Sequence, residues 1–257
     1  MASLNHAKYP YPRRRFIRWI LRVLANIGIF LLIDLKIEGK ENIPQKGPFM
    51  VIGNHFSFID PVLVMAKIPY WTEFIGGTVN PGSPDIVQFL PKLWGILNVY
   101  RGSSSRDALI AAQTILDQDG VLGIFPEGGN WANVLRPARP GTAFLAHRMQ
   151  VPILPIGFTG LEYVFDPFRL FKRVPVRMVI GKPFGPLGNE IEGRPSRDEF
   201  DEMGHEMMRQ IAPLIASEQC GHYSDDPALR EAAIGTEIWP WDDKREGEVE
   251  KFRKKSR

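Results

Sequence analysis

Along the chain, short apolar runs alternate with longer stretches in which apolar residues recur every three or four positions. Phe49–Gly53, Thr72–Gly76, Ile96–Tyr100, Val121–Phe125, Ile153–Phe158 and Val176–Ile180 are runs of five or six residues bounded by Gly, Pro or charge, and they predict strands. Between them, Pro61–Lys67, Asp85–Leu93, Ser104–Asp117 and Thr142–Met149 predict helices. The best formed is Ser104–Asp117, where Ala108, Leu109, Ala112, Ile115 and Leu116 make one stripe, serines lead in and Gly120 follows. A last helix runs from Ser196 to about Ala216, and Ser196 with Glu199 has the spacing of a capping box. Alternation of this kind predicts an α/β fold: a single domain with a largely parallel or mixed central sheet flanked by helices. Ligands of such sheets sit at the carboxyl ends of the strands, so the strand-end loops are where chemistry is sought.

The opening segment follows a different pattern. Phe16–Ile33 is strongly apolar, with Arg18, Trp19 and Arg22 near its start. Its uncharged run, Val23–Ile33, is 11 residues, short of the roughly 20 that cross a bilayer. No small-residue cleavage site follows, which argues against a signal peptide. The segment predicts an N-terminal amphipathic helix at a membrane interface, its arginines meeting anionic headgroups. Charge supports that asymmetry. Residues 1–22 hold six basic and no acidic residues, so the remaining chain sums to −3 against a total of +3. The basic cluster is short and lacks interleaved stacking aromatics, so no nucleic-acid partner is expected.

Composition narrows the class further. At 44% hydrophobic and 24% charged over 257 residues, the chain is an ordinary folded protein. One cysteine, Cys220, excludes a disulfide framework and a cysteine-built zinc site. His55, His147, His205 and His222 are scattered without ligand spacing, so no metal is expected. From Trp241 onward the chain is almost wholly charged and reads as a solvated, mobile tail. The expected organisation is a basic segment with its interfacial helix over 1–34, an α/β domain over 35–225 and a C-terminal extension over 226–257.

Four strand ends carry the candidate chemistry. After Phe49–Gly53 come Asn54, His55 and, five residues on, Asp60 followed by Pro61. A carboxylate can hold one ring nitrogen and leave the other to accept a substrate proton. Asp60 before a proline also has the form of a helix cap. Tyr100 is followed by Arg101, Gly102 and Ser103 at the start of the best helix, an arrangement suited to a phosphate. Val121–Phe125 ends in Pro126, Glu127, Gly128 and Gly129; the glycines permit close backbone approach, and Glu127 could orient Arg101 or a substrate hydroxyl. Val151-Pro152-Ile153-Leu154-Pro155 has the prolines of a strand start or an edge strand.

Taken in order, these blocks resemble the glycerolipid acyltransferase family, whose best-known members are the lysophosphatidate acyltransferases. The family's N-H-x-x-x-x-D matches Asn54, His55 and Asp60; its post-strand arginine matches Arg101 with Gly102. F-P-E-G matches Phe125–Gly128, V-P-I-x-P matches Val151–Pro155, and Gly221-His222-Tyr223 is similar to the usual Gly-x-Tyr ending. The likeness covers about residues 35–225. It implies an acyl transfer from acyl-CoA or acyl carrier protein to a lysolipid hydroxyl, without metal or other cofactor. His55 would be the base, held by Asp60. Arg101, Gly102, Glu127, Gly128, Gly129 and Arg139 would form the acceptor's phosphate site, the glycines offering backbone N–H groups. A peripheral or monotopic place on the cytoplasmic face of a membrane follows.

One departure stands out. Where the family continues Thr-Arg-Ser, this chain has Gly129, Asn130 and Trp131, and Arg136 or Arg139 are the nearby basic residues. The replacement admits an acceptor of lower charge, with Trp131 as a wall to the acceptor or acyl chain. It also admits a non-catalytic membrane-associated lipid-binding protein, while a transacylase or thioesterase would keep the same site.

Overall fold

Seven strands hydrogen-bond into one mixed sheet among the residues that the computed structural model describes: 8–76, 85–98, 106–164, 172–191 and 193–238. They are β1 (Ile33–Glu38), β2 (Phe49–Gly53), β3 (Glu73–Gly76), β4 (Leu97–Asn98), β5 (Val121–Ile124), β6 (Ile153–Thr159) and β7 (Val174–Ile180). The order is β1-β7-β6-β2-β5-β3-β4, and every neighbouring pair is parallel except β6 with β7. The helices are α1 (Arg15–Leu32), α2 (Asp60–Lys67), α3 (Asp85–Trp94), α4 (Arg106–Leu116), α5 (Pro140–Met149), α6 (Arg197–Ile211) and α7 (Pro227–Ala233).

Strand periodicity divides the core. Met50 and Ile52 of β2 enter an apolar cluster with Ile115 of α4, Ala146 of α5 and Met207 of α6. Phe49 and Val51 enter the other, with Ile29 of α1 and Leu63 of α2. Alternate side chains leave opposite faces of a strand, so helices on both sides make β2 apolar throughout. All five of its residues are buried.

Several elements differ from the sequence pattern. The apolar helix stops at Leu32, and Ile33 opens a strand that the continuous hydrophobicity had hidden. Within the strand expected over Ile96–Tyr100, Leu97–Asn98 is described as strand; Val99 and Tyr100 lie outside the described residues, as do Ser104, Ser105 and the chain from 239 onward. The capping box of α6 is formed, with Ser196 Oγ accepting from Glu199 N–H and Glu199 accepting from Ser196 N–H. That helix ends at Ile211 and tightens into a 3-10 turn over Ala212–Leu214, because Pro213 has no N–H to continue the ladder. β6 lies inside the sheet despite Pro155. The β7 ladder begins only at Ile156, and Gly181 N–H donates to the Pro155 carbonyl instead, so the missing donor breaks no ladder bond there.

The largest correction concerns the basic head. Arg18 is fully buried and clamps Glu73, with Nη1–Oε1 at 2.5 Å and Nη2–Oε2 at 2.7 Å. Arg13 reaches Glu73 and the Gly95 carbonyl, Arg14 the Lys92 and Leu93 carbonyls, and Arg22 the carbonyls of Met65, Ile68 and Tyr70. Arg18 and Arg22, expected at lipid headgroups, fasten α1 to the domain instead, together with Arg13 and Arg14. A guanidinium has five N–H donors, so it satisfies the open carbonyls at element ends better than water can in a closing interface. The face of α1 turned outward is apolar: Phe16, Trp19, Leu24, Ile27, Phe30 and Leu31 are all exposed. No described helix is long and apolar enough to cross a membrane.

Candidate active site

The end of β2 is fixed before the histidine begins. A Cβ on Gly53 would lie 2.9 Å from the Phe158 ring and 3.0 Å from the Ile156 carbonyl, so only glycine fits between β2 and β6. Asn54 is fully buried; its Nδ2 donates to the Phe158 carbonyl at 2.9 Å and its Oδ1 accepts Phe158 N–H at 2.8 Å. This two-point clamp sets where the next residue points.

His55 is held from three sides. Its ring stacks on Phe125, with centroids 4.4 Å apart and planes at 23°. Its backbone N–H donates to Glu127 Oε1 at 2.7 Å, and Nδ1 lies 2.9 Å from Asp60 Oδ2. With Nδ1 engaged, Nε2 is the nitrogen left for a substrate, and 15% of the side chain remains accessible. Asp60 Oδ2 also accepts Ser57 N–H at 2.9 Å, while Oδ1 is buried with no hydrogen-bond partner among the described residues. Burial pushes the Asp60 carboxyl above its usual range, with His55 and the Ser57 amide opposing. The helix-cap reading of Asp60 is corrected: α2 begins at Asp60 itself, its cap position is Ile59, and the carboxylate turns back toward His55. The chain from Asn54 to Ile59 doubles back, which brings residues five apart into contact.

The Glu127 side chain is fully buried with both oxygens turned inward, which sets it apart from a substrate hydroxyl; the expected contact with Arg101 lies outside the described residues. Oε1 takes the His55 amide, and Oε2 takes Arg136 Nε at 2.9 Å and Arg136 N–H at 3.3 Å. Burial lifts its carboxyl to about 7, against the pull of Arg136; burial lowers Arg136 in turn. Arg136, itself buried, also donates to the Gly129 carbonyl and lies 3.8 Å beneath the Trp131 ring. No sequence signal distinguishes it from Arg139, because the pairing depends on how the loop of nine residues after Glu127 closes.

The remaining phosphate-site candidates separate. Gly128 has φ +75° and its N–H closes a turn onto the Phe125 carbonyl at 3.0 Å, so that donor serves the loop rather than a ligand. Arg139 N–H donates to the Pro126 carbonyl at 2.8 Å, its side chain packs over Gly128, and its Nη2 donates to the Glu237 carbonyl at 3.1 Å. Arg139 and Gly129 thus sit on the same loop as Glu127. Arg101 and Gly102 lie outside the described residues. Gly221, at φ +50°, closes against Leu135, whose carbonyl accepts His222 N–H at 3.2 Å. The Gly-x-Tyr segment therefore braces the loop that carries Arg136.

Residues 34–159 match the family model described as Acyltransferase. The chain is 30% identical over 147 residues to 1-acyl-sn-glycerol-3-phosphate acyltransferase alpha of Mus musculus, covering 56% of this chain and 52% of that protein. It is 25% identical to the chloroplastic 1-acyl-sn-glycerol-3-phosphate acyltransferase BAT2 of Brassica napus, over 66% of this chain and 51% of the other. The chain thus spans about half the length of the curated relatives it matches. The crystal structure of the 1-acyl-sn-glycerophosphate acyltransferase PlsC from Thermotoga maritima shares the fold, with a TM-score of 0.52 at 23% identity over 79% of this chain and 83% of that one. The matched segment begins beside β1 and ends with β6, so the part of the chain that is similar to the family described as Acyltransferase holds His55, Asp60 and Glu127.

Proposed function

We propose that the chain is an O-acyltransferase that moves a fatty acyl group from a thioester, acyl-CoA or acyl carrier protein, to a hydroxyl of a glycerol-phosphate-type lysolipid. The observation that carries this reading is the 2.9 Å contact between His55 Nδ1 and Asp60 Oδ2 on a partly accessible ring. In this reading Nε2 removes the acceptor hydroxyl proton as the oxygen attacks the thioester carbonyl. The tetrahedral adduct then collapses, the C–S bond breaks, and the proton passes from the imidazolium to the departing thiolate. Asp60 stabilises the imidazolium formed in between. No covalent acyl-enzyme, metal or other cofactor is called for. Arg139, on the loop that follows Glu127, is one cation assigned to the acceptor's phosphate, and Arg101 is assigned to it from the sequence motif alone. The names of the similar proteins, which specify 1-acylglycerol-3-phosphate as acceptor, support the same substrate class.

We place the protein peripherally on a membrane, on its cytoplasmic face. The support is the exposed apolar side of α1, with Phe16 at 73% and Phe30 at 70% exposed. The apolar face takes over the role first given to the arginines. A non-catalytic lipid-binding protein is the second reading, favoured by Gly129-Asn130-Trp131 in place of Thr-Arg-Ser. Thiol release from long-chain acyl-CoA, with and without lysophosphatidate, separates the two. Acceptor-dependent release is expected, and His55→Ala should lower it about 10²–10⁴-fold with the fold intact. Equal turnover in the folded variant would hand the assignment to the second reading. Release without acceptor would turn it toward a thioesterase.

A further inference from the structure

Of the two arginines that follow the Gly129-Asn130-Trp131 departure, Arg136 is turned away from solvent, with 1% of its side chain exposed. Its Nε donates to Glu127 Oε2 at 2.9 Å, and its backbone N–H reaches the same oxygen at 3.3 Å. Nη2 donates to the Gly129 carbonyl, and the centre of the Trp131 ring lies 3.8 Å from the guanidinium carbon. The cation is thus enclosed between the Glu127 loop and an indole. The backbone that carries it is fixed too: Leu135 is fully buried, its N–H donates to the Gln219 carbonyl at 2.8 Å, and its carbonyl accepts His222 N–H at 3.2 Å. Glu127 passes this restraint on, because its other oxygen accepts His55 N–H at 2.7 Å. Among the described residues, the three groups that bond to this carboxyl are all N–H donors. A carboxylate satisfies them together, whereas a protonated carboxyl brings an O–H into a site lined by donors.

We infer that Arg136 is a positioning residue for the transfer: acting through Glu127, it fixes the backbone of His55, and it is not a cation for the acceptor. This rests on the reading of His55 as the base. A buried carboxylate without a cation is so costly that it takes up a proton instead. Burial already lifts Glu127 to about 7 while Arg136 pulls the other way, so losing Arg136 lifts it further. The neutral form then holds the His55 amide less firmly, since a hydrogen bond to an ionised acceptor is roughly twice as strong as a neutral one. The other titratable groups around this carboxyl are His55, with Asp60 on its Nδ1, and Tyr223, whose hydroxyl is raised by burial and stays neutral. Arg139, on the same loop, packs its side chain over Gly128. Trp131 has a part in the same device. Where the family has a serine, the indole covers Arg136, and excluding water strengthens the pair with Glu127.

Amide NMR on the full chain tests the tether without turnover. A hydrogen bond to a carboxylate carries its amide proton downfield, so the His55 N–H should move upfield as pH falls through about 7. In Arg136→Met the midpoint should lie about one pH unit or more higher. An unchanged midpoint overturns the inference. Acceptor kinetics give the second readout: Arg136→Met should lower kcat about 10–100-fold, with less than about a twofold change in KM. Arg136→Lys, which keeps the charge against Glu127, should regain most of that loss. A KM that rises while kcat holds makes Arg136 an acceptor cation and overturns the tether. If Arg136→Met does not fold, Glu127→Gln with Arg136→Met removes both charges, and the amide oxygen still accepts His55 N–H. Its kcat should then lie within about twofold of Glu127→Gln alone, and a further loss of about tenfold would show that Arg136 acts by another route. If the parent releases no thiol while the His55 midpoint still moves with Arg136, the transfer reading fails and the tether stands.

Discussion

Two buried carboxylates lie at opposite ends of the adjacent parallel strands β3 and β5, and each is paired with arginine. Glu73, at the amino end of β3, holds Arg18 through two hydrogen bonds and also Arg13; Arg18 Nε donates further to the Trp94 carbonyl and Arg13 Nη2 to the Gly95 carbonyl. Glu127, past the carboxyl end of β5, holds one arginine and gives its other oxygen to the His55 amide. Among the described residues, the Glu73–Arg18 pair leaves no buried side-chain polar atom without a partner, whereas Arg136 Nη1 and Asp60 Oδ1 are both buried and unpartnered there. The same chemical pairing thus serves two ends. One is a completed fastening that joins α1 to the sheet. The other is a scaffold under the histidine that keeps its polar groups incompletely satisfied, as functional sites do.

Breaking the first pairing should have the largest effect. Glu73→Ala leaves the Arg18 charge buried and alone, and the expected cost is about 3–5 kcal/mol of stability in urea unfolding. Replacing both, as Glu73→Ala with Arg18→Met, should recover most of that loss, because the desolvated charges leave together. A cost under about 1 kcal/mol for Glu73→Ala would make the pair an incidental contact. Arg13, whose side chain is 19% exposed, should cost less than Arg18 when truncated.

Asp60→Asn breaks the second region in a different currency. The amide oxygen can still accept Ser57 N–H, so the doubled-back chain should fold, yet no carboxylate then stabilises the imidazolium. Acceptor-dependent kcat should fall by about 10²-fold or more, while the urea midpoint stays or rises, since the buried carboxylate was itself costly. If activity and stability fell in proportion, Asp60 would be a structural residue only.

How much of this was legible follows from the range over which each feature is determined. The β2 and β6 strands, the α6 capping box and the His55–Asp60 pairing depend on residues within a few positions, and local pattern carries them. β1 was hidden because Ile33 and Leu35 continue the hydrophobicity of α1, and composition does not mark where a helix yields to a strand. The arginines of the head misled for a related reason. A basic amphipathic segment has the same sequence whether its guanidiniums meet lipid phosphates or protein carbonyls, and only the approach of Glu73, 55 residues from Arg18, decides. Glu127 matched its motif, but its partner Arg136 was chosen by loop closure and its grip on the His55 amide spans 72 residues.

The finest distinction between the two carboxylates is pH dependence at Glu127. Its carboxyl is lifted from an ordinary 4.5 to about 7, chiefly by burial. Between those values the folded chain keeps a proton that the unfolded chain releases, so folding binds protons in this window. The stability associated with this proton is complete below pH 4.5 and is lost as pH rises through about 7. The slope cannot exceed about 1.4 kcal/mol per pH unit, and attraction to Arg136 opposes it, so a total of the order of 1–3 kcal/mol is expected across the window. Asp60 is raised for the same reason and adds a slope of the same sign, which is why the comparison must be with a variant. Glu127→Gln keeps the acceptor for the His55 amide and removes the titration. Its urea stability should fall less than the parent's from pH 5 to pH 7. Parallel stability curves across that window would mean that Glu127 is ionised throughout, and that its ion pair with Arg136, like the one at Glu73, outweighs the cost of burial.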